Sequence, residues 1–245
     1  MRQTKIVSFG TLYIGDESQE PWPTARYDGE QPISIGDTIP MKEIKWVAHN
    51  GIFVALDPIL VFVNHQDLAR QGLVDGKPIS IDGIRYHVSL PQIGESLLMF
   101  QNSPWRKFIK EVQKPGKSYF IDHPYEKSWG REIVPPGCAA VVGGASISEW
   151  DVCPAHVRSS SIGWRPWLEP DMPTDEELNA YQIITVFFGG QYQVTGMIVD
   201  ATPYDIVLCC DERFVIDTPG QIVMQSGNEL TINRESIQRI LFRAI

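Results

Sequence analysis

Short apolar runs, broken at close intervals by Gly, Pro, Asn and Asp, extend along most of this chain and predict a mostly β protein. Residues 43–48 (EIKWVA) and 52–56 (IFVAL) flank Asn50-Gly51, and residues 78–81 and 84–90 flank Asp82-Gly83. Both dipeptides tolerate positive φ at the two turn positions, so each pair predicts a hairpin. Between them, residues 65–71 (HQDLARQ) predict a short helix stopped by Gly72. The strongest helix is expected at 103–114. There Ser103 serves as cap, Pro104 fits the first turn, and Trp105, Phe108, Ile109 and Val112 share one face.

From residue 114 to 137 the periodicity dissolves into aromatics, prolines and glycines, which predicts a long ordered loop pinned by Tyr119, Phe120, Tyr125 and Trp129. Residues 169–178 (EPDMPTDEEL) hold two prolines and five acids and mark a boundary. Beyond it, strands are expected at 181–188, 192–199, 205–210, 213–217, 221–225 and 229–233. Their close spacing predicts a small barrel or tightly bent sheet. The fold class expected is therefore α+β and mostly β: a domain over 1–170, a linker over 171–180, and a small barrel over 181–245.

Composition narrows the function classes. The 245 residues can bury a real core, and 43% hydrophobic with 21% charged residues is ordinary for a globular protein. Thirty acids against 21 bases give a formal charge of −9, which weighs against nucleic acid or an anionic membrane as partner. No apolar run approaches the length of a membrane span. The opening MRQTKIVSFG has no signal-peptide core, and four irregularly spaced cysteines make no disulfide framework, so a cytoplasmic protein with reduced thiols is expected.

The segment NHQDLARQGLVDGKPISIDGIRYHVSL (64–90), with Gly163-Trp164-Arg165-Pro166 closing the region, resembles phage and prophage proteins of Gram-positive bacteria. With Gly143-Gly144-Ala145-Ser146, Trp150, Arg158 and Ile162 added, residues 1–170 resemble the C-type-lectin-like fold. Formylglycine-generating enzymes and phage receptor-binding or diversity-generating variable proteins share that fold. The tail, through Gly190, Tyr192–Gly196, Asp200, Asp205–Leu208 and Ile232–Ile240, resembles the Sm-like small barrel, with a long insertion at 211–230.

The resemblance implies a non-enzymatic binder of a host protein or small molecule, cytoplasmic in the host cell, assembling as a homo-oligomer and counteracting host defence. It leaves open three other readings. One is a virion structural or receptor-binding component. Another is a formylglycine-generating-type oxidase working through Cys138 and Cys153. The third is an RNA-binding tail carrying Arg213, Arg234, Arg239 and Arg243.

Among candidate sites, the tryptophans and arginines of the middle region stand out. Arg among Trp faces binds anionic or planar ligands by a bidentate fork plus stacking. The expected ligand-binding set is Trp129, Trp150, Arg158, Ser159, Ser160, Trp164 and Arg165, beside Trp167; the same residues also suit a loop-pinning core. Ser159-Ser160-Ser161 lack a G-x-S-x-G context and suit hydrogen bonding better than nucleophilic attack. Cys153 and His156 form only half of a zinc-site spacing, and Cys209-Cys210 should point to opposite faces of a strand. No cofactor or metal is expected.

Overall fold

The computed structural model describes residues 4–20, 24–113, 120, 126–171, 178, 182–188, 192–202, 204–210 and 223–242. Among these the protein is mostly β, with three short α-helices and four sheets. The chain divides into two compact units: Thr4–Asp82 with Tyr86–Glu169, and Pro170 onward with Gly83–Arg85.

One six-stranded sheet, most of whose residues belong to the first unit, runs in the order Lys5–Phe9, Ile44–His49, Ile52–Ala55, Trp167–Pro170, Ile84–Ser89, Lys77–Ile81. A second runs Trp150–Pro154, Cys138–Gly143, Lys127–Val134, Ile162–Trp164, Leu60–Val61, Ala25–Arg26. A small third sheet joins Glu17–Ser18, Thr11–Ile14 and Ile33–Gly36. Both hairpin turns fall where Asn50-Gly51 and Asp82-Gly83 place them. Their φ values are 53° and 80°, and 52° and 76°.

Helix α1 is His65–Arg70, followed by Gly72 at φ 74°; α2 is Leu97–Phe100; α3 is Pro104–Val112, capped by the Ser103 hydroxyl. The apolar face of α3 buries Trp105, Phe108, Ile109 and Val112 against Phe120, Trp167 and Val54. Each such side chain contributes about 1.5–3 kcal/mol by leaving water. The ring contacts Phe108–Trp167 (5.3 Å) and Trp105–Phe120 (6.2 Å) fix how the helix sits.

One expectation fails here. Lys127–Val134 forms a strand rather than loop, antiparallel to Cys138–Gly143 and parallel to Ile162–Trp164. Its register shifts between Trp129 and Ile133. Ser128, Trp129 and Gly130 are all buried, so this inner strand shows no period-two alternation to read. Tyr119, Tyr125 and the rest of 114–119 and 121–125 lie outside the described residues. So do 172–177, 179–181, the strand expected at 213–217, Gly190, Arg213 and Arg243.

The C-terminal unit holds one sheet that curls into a half-barrel. Its order is Val223–Ser226, Glu229–Asn233, Asp205–Cys209, Tyr192–Ala201, Ile183–Phe188, Ile237–Phe242. Period-two alternation is clear: Ile184, Val186, Phe188, Val194, Ile198, Ile206, Leu208, Leu230, Ile232 and Ile240 fill the concave core. A single 3-10 turn, Arg234–Ser236, leads into the last strand.

Gly196 lets the long strand bend tightly over its neighbour. A Cβ there would stand 2.7 Å from both the Cys209 carbonyl oxygen and Cys210 Sγ, and 3.1 Å from Leu208 Cβ. Gly196→Val is therefore expected to destabilise the C-terminal unit by about 2–3 kcal/mol. Hydrogen exchange read separately over 182–242 and 4–113 checks this; equal protection in mutant and wild type over 182–242 contradicts it.

Candidate functional site

Among the described residues of the first unit, Asp67 is a carboxylate with no exposed surface and several hydrogen-bond donors around it. The Asn64 cap explains why it faces inward. Asn64 Oδ1 accepts from the Asp67 amide at 2.7 Å, and Asp67 Oδ2 accepts from the Asn64 amide at 3.2 Å, a reciprocal cap on α1. The same carboxylate then takes a fork from Arg158, Nε to Oδ2 and Nη2 to Oδ1, both 2.9 Å, and a further bond from Arg70.

Burial would raise the Asp67 pKa, but the Arg158 bonds, the Asn64 amide and Arg70 outweigh it and hold the carboxyl below its usual range. The same pairing raises the pKa of Arg158. Gly29 makes room for the fork. At φ 99° it already has a backbone other residues avoid, and a Cβ there would lie 2.2 Å from Arg158 Nη1.

Around this clamp, residues 155–161 form a loop anchored carbonyl by carbonyl. The Gln66 amide donates to Ala155 O (3.3 Å), Asn64 Nδ2 to His156 O (3.0 Å), the Phe62 amide to Ser159 O (3.0 Å) and the Lys127 amide to Ser161 O (2.8 Å). The hydroxyls of Ser159 and Ser161 bond each other at 2.8 Å on the outer side, and Ser160 is exposed between them.

An aromatic layer supports the loop. Arg158 lies over the ring of buried Tyr27, 5.8 Å from its centroid. The Tyr27 hydroxyl donates to Gln31 O and accepts from Gln71 Nε2. Next to Tyr27, the guanidinium of exposed Arg26 stacks 4.0 Å above the Phe62 ring. Phe62 itself sits at φ 58°, a strained conformation for an aromatic residue.

The expected ligand-binding residues fall into two groups. Arg158, Ser159 and Ser160 meet at this surface loop. Trp129, Trp164 and Arg165 are interior: Trp129 donates to Val63 O at 2.9 Å beside the His65 ring, and Trp164 is fully buried. Arg165 donates to Ser128 Oγ, Ala55 O and Leu56 O and stacks on Phe120, tying the two large sheets together. Burial brings its pKa down to about 10, with Asp57 and Glu126 opposing from a distance. Trp150 is half-buried and donates to Gly94 O, away from the loop, and Trp167 belongs to the α3 core.

Cys138, Cys153, Cys209 and Cys210 form no disulfide. Cys138 faces Pro154 across the ladder and Cys153 faces Ala139, so the two thiols leave opposite faces of the sheet. Burial raises the Cys153 pKa. Cys210 is buried while its neighbour Cys209 is half-exposed. Among the described residues no three His, Cys, Asp or Glu side chains gather as a metal site.

Pattern reading missed Asp67, Arg26 and Phe62. The Asn64-x-x-Asp67 spacing before α1 was the signal available for the first; nothing local marks the other two, because a strand pairing brings them together. Comparison with protein-family models, with curated proteins and with solved structures finds no match.

Two outcomes follow from the buried charges. A carboxylate whose pKa is lowered on folding adds stability above its unfolded pKa and loses it as pH falls through the folded value. Wild-type stability should therefore drop below about pH 4 more steeply than that of Asp67→Asn. The variant itself should lose about 2–3 kcal/mol near neutrality, allowing for the partial exposure of Arg158. Urea midpoints across pH measure both, and parallel curves would remove Asp67 as the source. Arg165→Met, which strips the donors from Ala55 O and Leu56 O, is expected to cost about 2–3 kcal/mol in the same assay.

Proposed function

We propose that this chain is a non-enzymatic binding protein of the phage or prophage type. In this reading the loop at 155–161, with Arg158, Ser159 and Ser160, recognises a host protein or small-molecule ligand. The observation that carries it is the contrast within this one loop. Its backbone is anchored at four carbonyls and its arginine is locked to a buried carboxylate, while Ser160 and Ser161 lie exposed. A rigid scaffold presenting polar groups at low entropic cost is the economical design for recognition.

In the same reading the first unit has a C-type-lectin-like arrangement, supported by irregular loops standing on short strands. The C-terminal half-barrel is Sm-like, supported by a strand order that returns Ile237–Phe242 beside Ile183–Phe188 after a 3-10 turn. Among the described residues Val223–Ser226 and Ile237–Phe242 are the edge strands of this sheet, and in this reading they join copies. Recognition by the first unit and assembly by the second together suit a role against host defence.

Native mass spectrometry of the protein purified from a bacterial host tests this, recorded gently and again after denaturation. The expected result is a homo-oligomer that releases a small molecule or host protein on denaturation. Ser160→Arg, at an exposed position away from Asp67, should lose the adduct and keep the oligomer. A bare monomer from wild type would overturn the reading.

A further inference from the structure

Arg26 is the cation of this surface whose chemistry the clamp leaves unused. Arg158 and Arg70 are both spent on Asp67. Arg26 is exposed, its guanidinium lies 4.0 Å over the Phe62 ring, and among the described residues no carboxylate, carbonyl or hydroxyl accepts from it. Stacking fixes the plane of the guanidinium through its face, so its N–H edge, with no acceptor among the described residues, is already oriented.

The strain at Phe62 bears on how the ring came to lie there. A φ of 58° is a costly backbone conformation for a β-carbon-bearing residue, and such outliers persist where the surroundings over-determine them. Here Val61 pairs with Arg26 in the parallel ladder, and the Phe62 amide is held by Ser159 O. The chain thus turns abnormally at one residue, and its ring ends up beneath the guanidinium while its backbone grips the serine loop. Nearby acids do not neutralise Arg26: Asp28 Oδ1 accepts from the Glu30 amide, and neither Asp28 nor Glu30 pairs with Arg26.

We propose that Arg26, stacked on Phe62, is an oxyanion-binding site, and that the ligand presented to the serine loop carries a phosphate or carboxylate group which docks on the free guanidinium edge. This rests on the recognition surface proposed above and names the chemical class of what it holds. A planar fork matches either anion with two parallel hydrogen bonds, whereas an ammonium offers a point charge.

Titration of the full chain with inorganic phosphate and, separately, with sodium acetate tests it, following the arginine Nε–H resonances by NMR. A saturable shift at Arg26 is expected, absent from Arg26→Ala and at least about tenfold weaker at the introduced ammonium of Arg26→Lys, read from the change in a neighbouring amide. Phe62→Leu should weaken it several-fold with the arginine in place. Stronger saturation by phosphate assigns a phosphorylated ligand, and stronger saturation by acetate a carboxylate-bearing one. No saturation by either anion, or the same affinity in Arg26→Ala, overturns the oxyanion assignment. The native-mass adduct, measured with Ser160→Arg, judges the loop surface independently, so failure of one is distinguishable from failure of the other.

Discussion

A carboxylate with no exposed surface has to be neutralised where it stands, and the first unit is organised around meeting that demand for Asp67. Its two oxygens collect a helix-cap amide, a bidentate arginine and a second arginine. Removing the Arg158 fork leaves charge in a poorly solvated place, a cost that exceeds what an exposed ion pair such as the one to Arg70 is worth. The clamp therefore dictates where α1 begins, where Arg158 lies and why residue 29 has no side chain.

Arg165 solves the opposite problem. It is a buried cation with no carboxylate in direct contact among the described residues, and it is satisfied by two carbonyls, a hydroxyl and the Phe120 face. Donors aimed at the Ala55 and Leu56 carbonyls of one large sheet and at the Ser128 hydroxyl of the other make it a strut, and burial lowers its pKa. The two arginines stand seven positions apart in sequence. One supports the loop from beneath, and the other holds together the platform on which the loop stands.

Much of the local structure was readable from residue pattern. Asn50-Gly51, Asp82-Gly83, the Ser103-Pro104 cap and the alternation in the C-terminal strands each encode their own geometry within a few residues. What escaped were features made by long-range pairing. Lys127–Val134 hides as a strand because both faces are covered along Ser128–Gly130, which removes the alternation there. Arg26 and Phe62 stand 36 positions apart and meet through a two-residue parallel ladder that no local pattern announces. Trp and Arg in the middle region were visible as a group, but composition could not sort the fully buried Trp129, Trp164 and Arg165 from Arg158, which keeps part of its surface exposed while it grips Asp67; register and chain direction do that.

The sharing of one carboxylate between a helix cap and a loop arginine has a kinetic consequence. Neither segment can lift away alone without stranding the charge on the other, so fraying of the first turn of α1 and opening of the 155–161 loop become a single event. A surface loop would ordinarily breathe on its own; this one inherits the opening free energy of the helix to which it is bolted. Slow, concerted exposure of the Phe62, Asn64, Gln66 and Asp67 amides to solvent exchange is the motion such an arrangement allows.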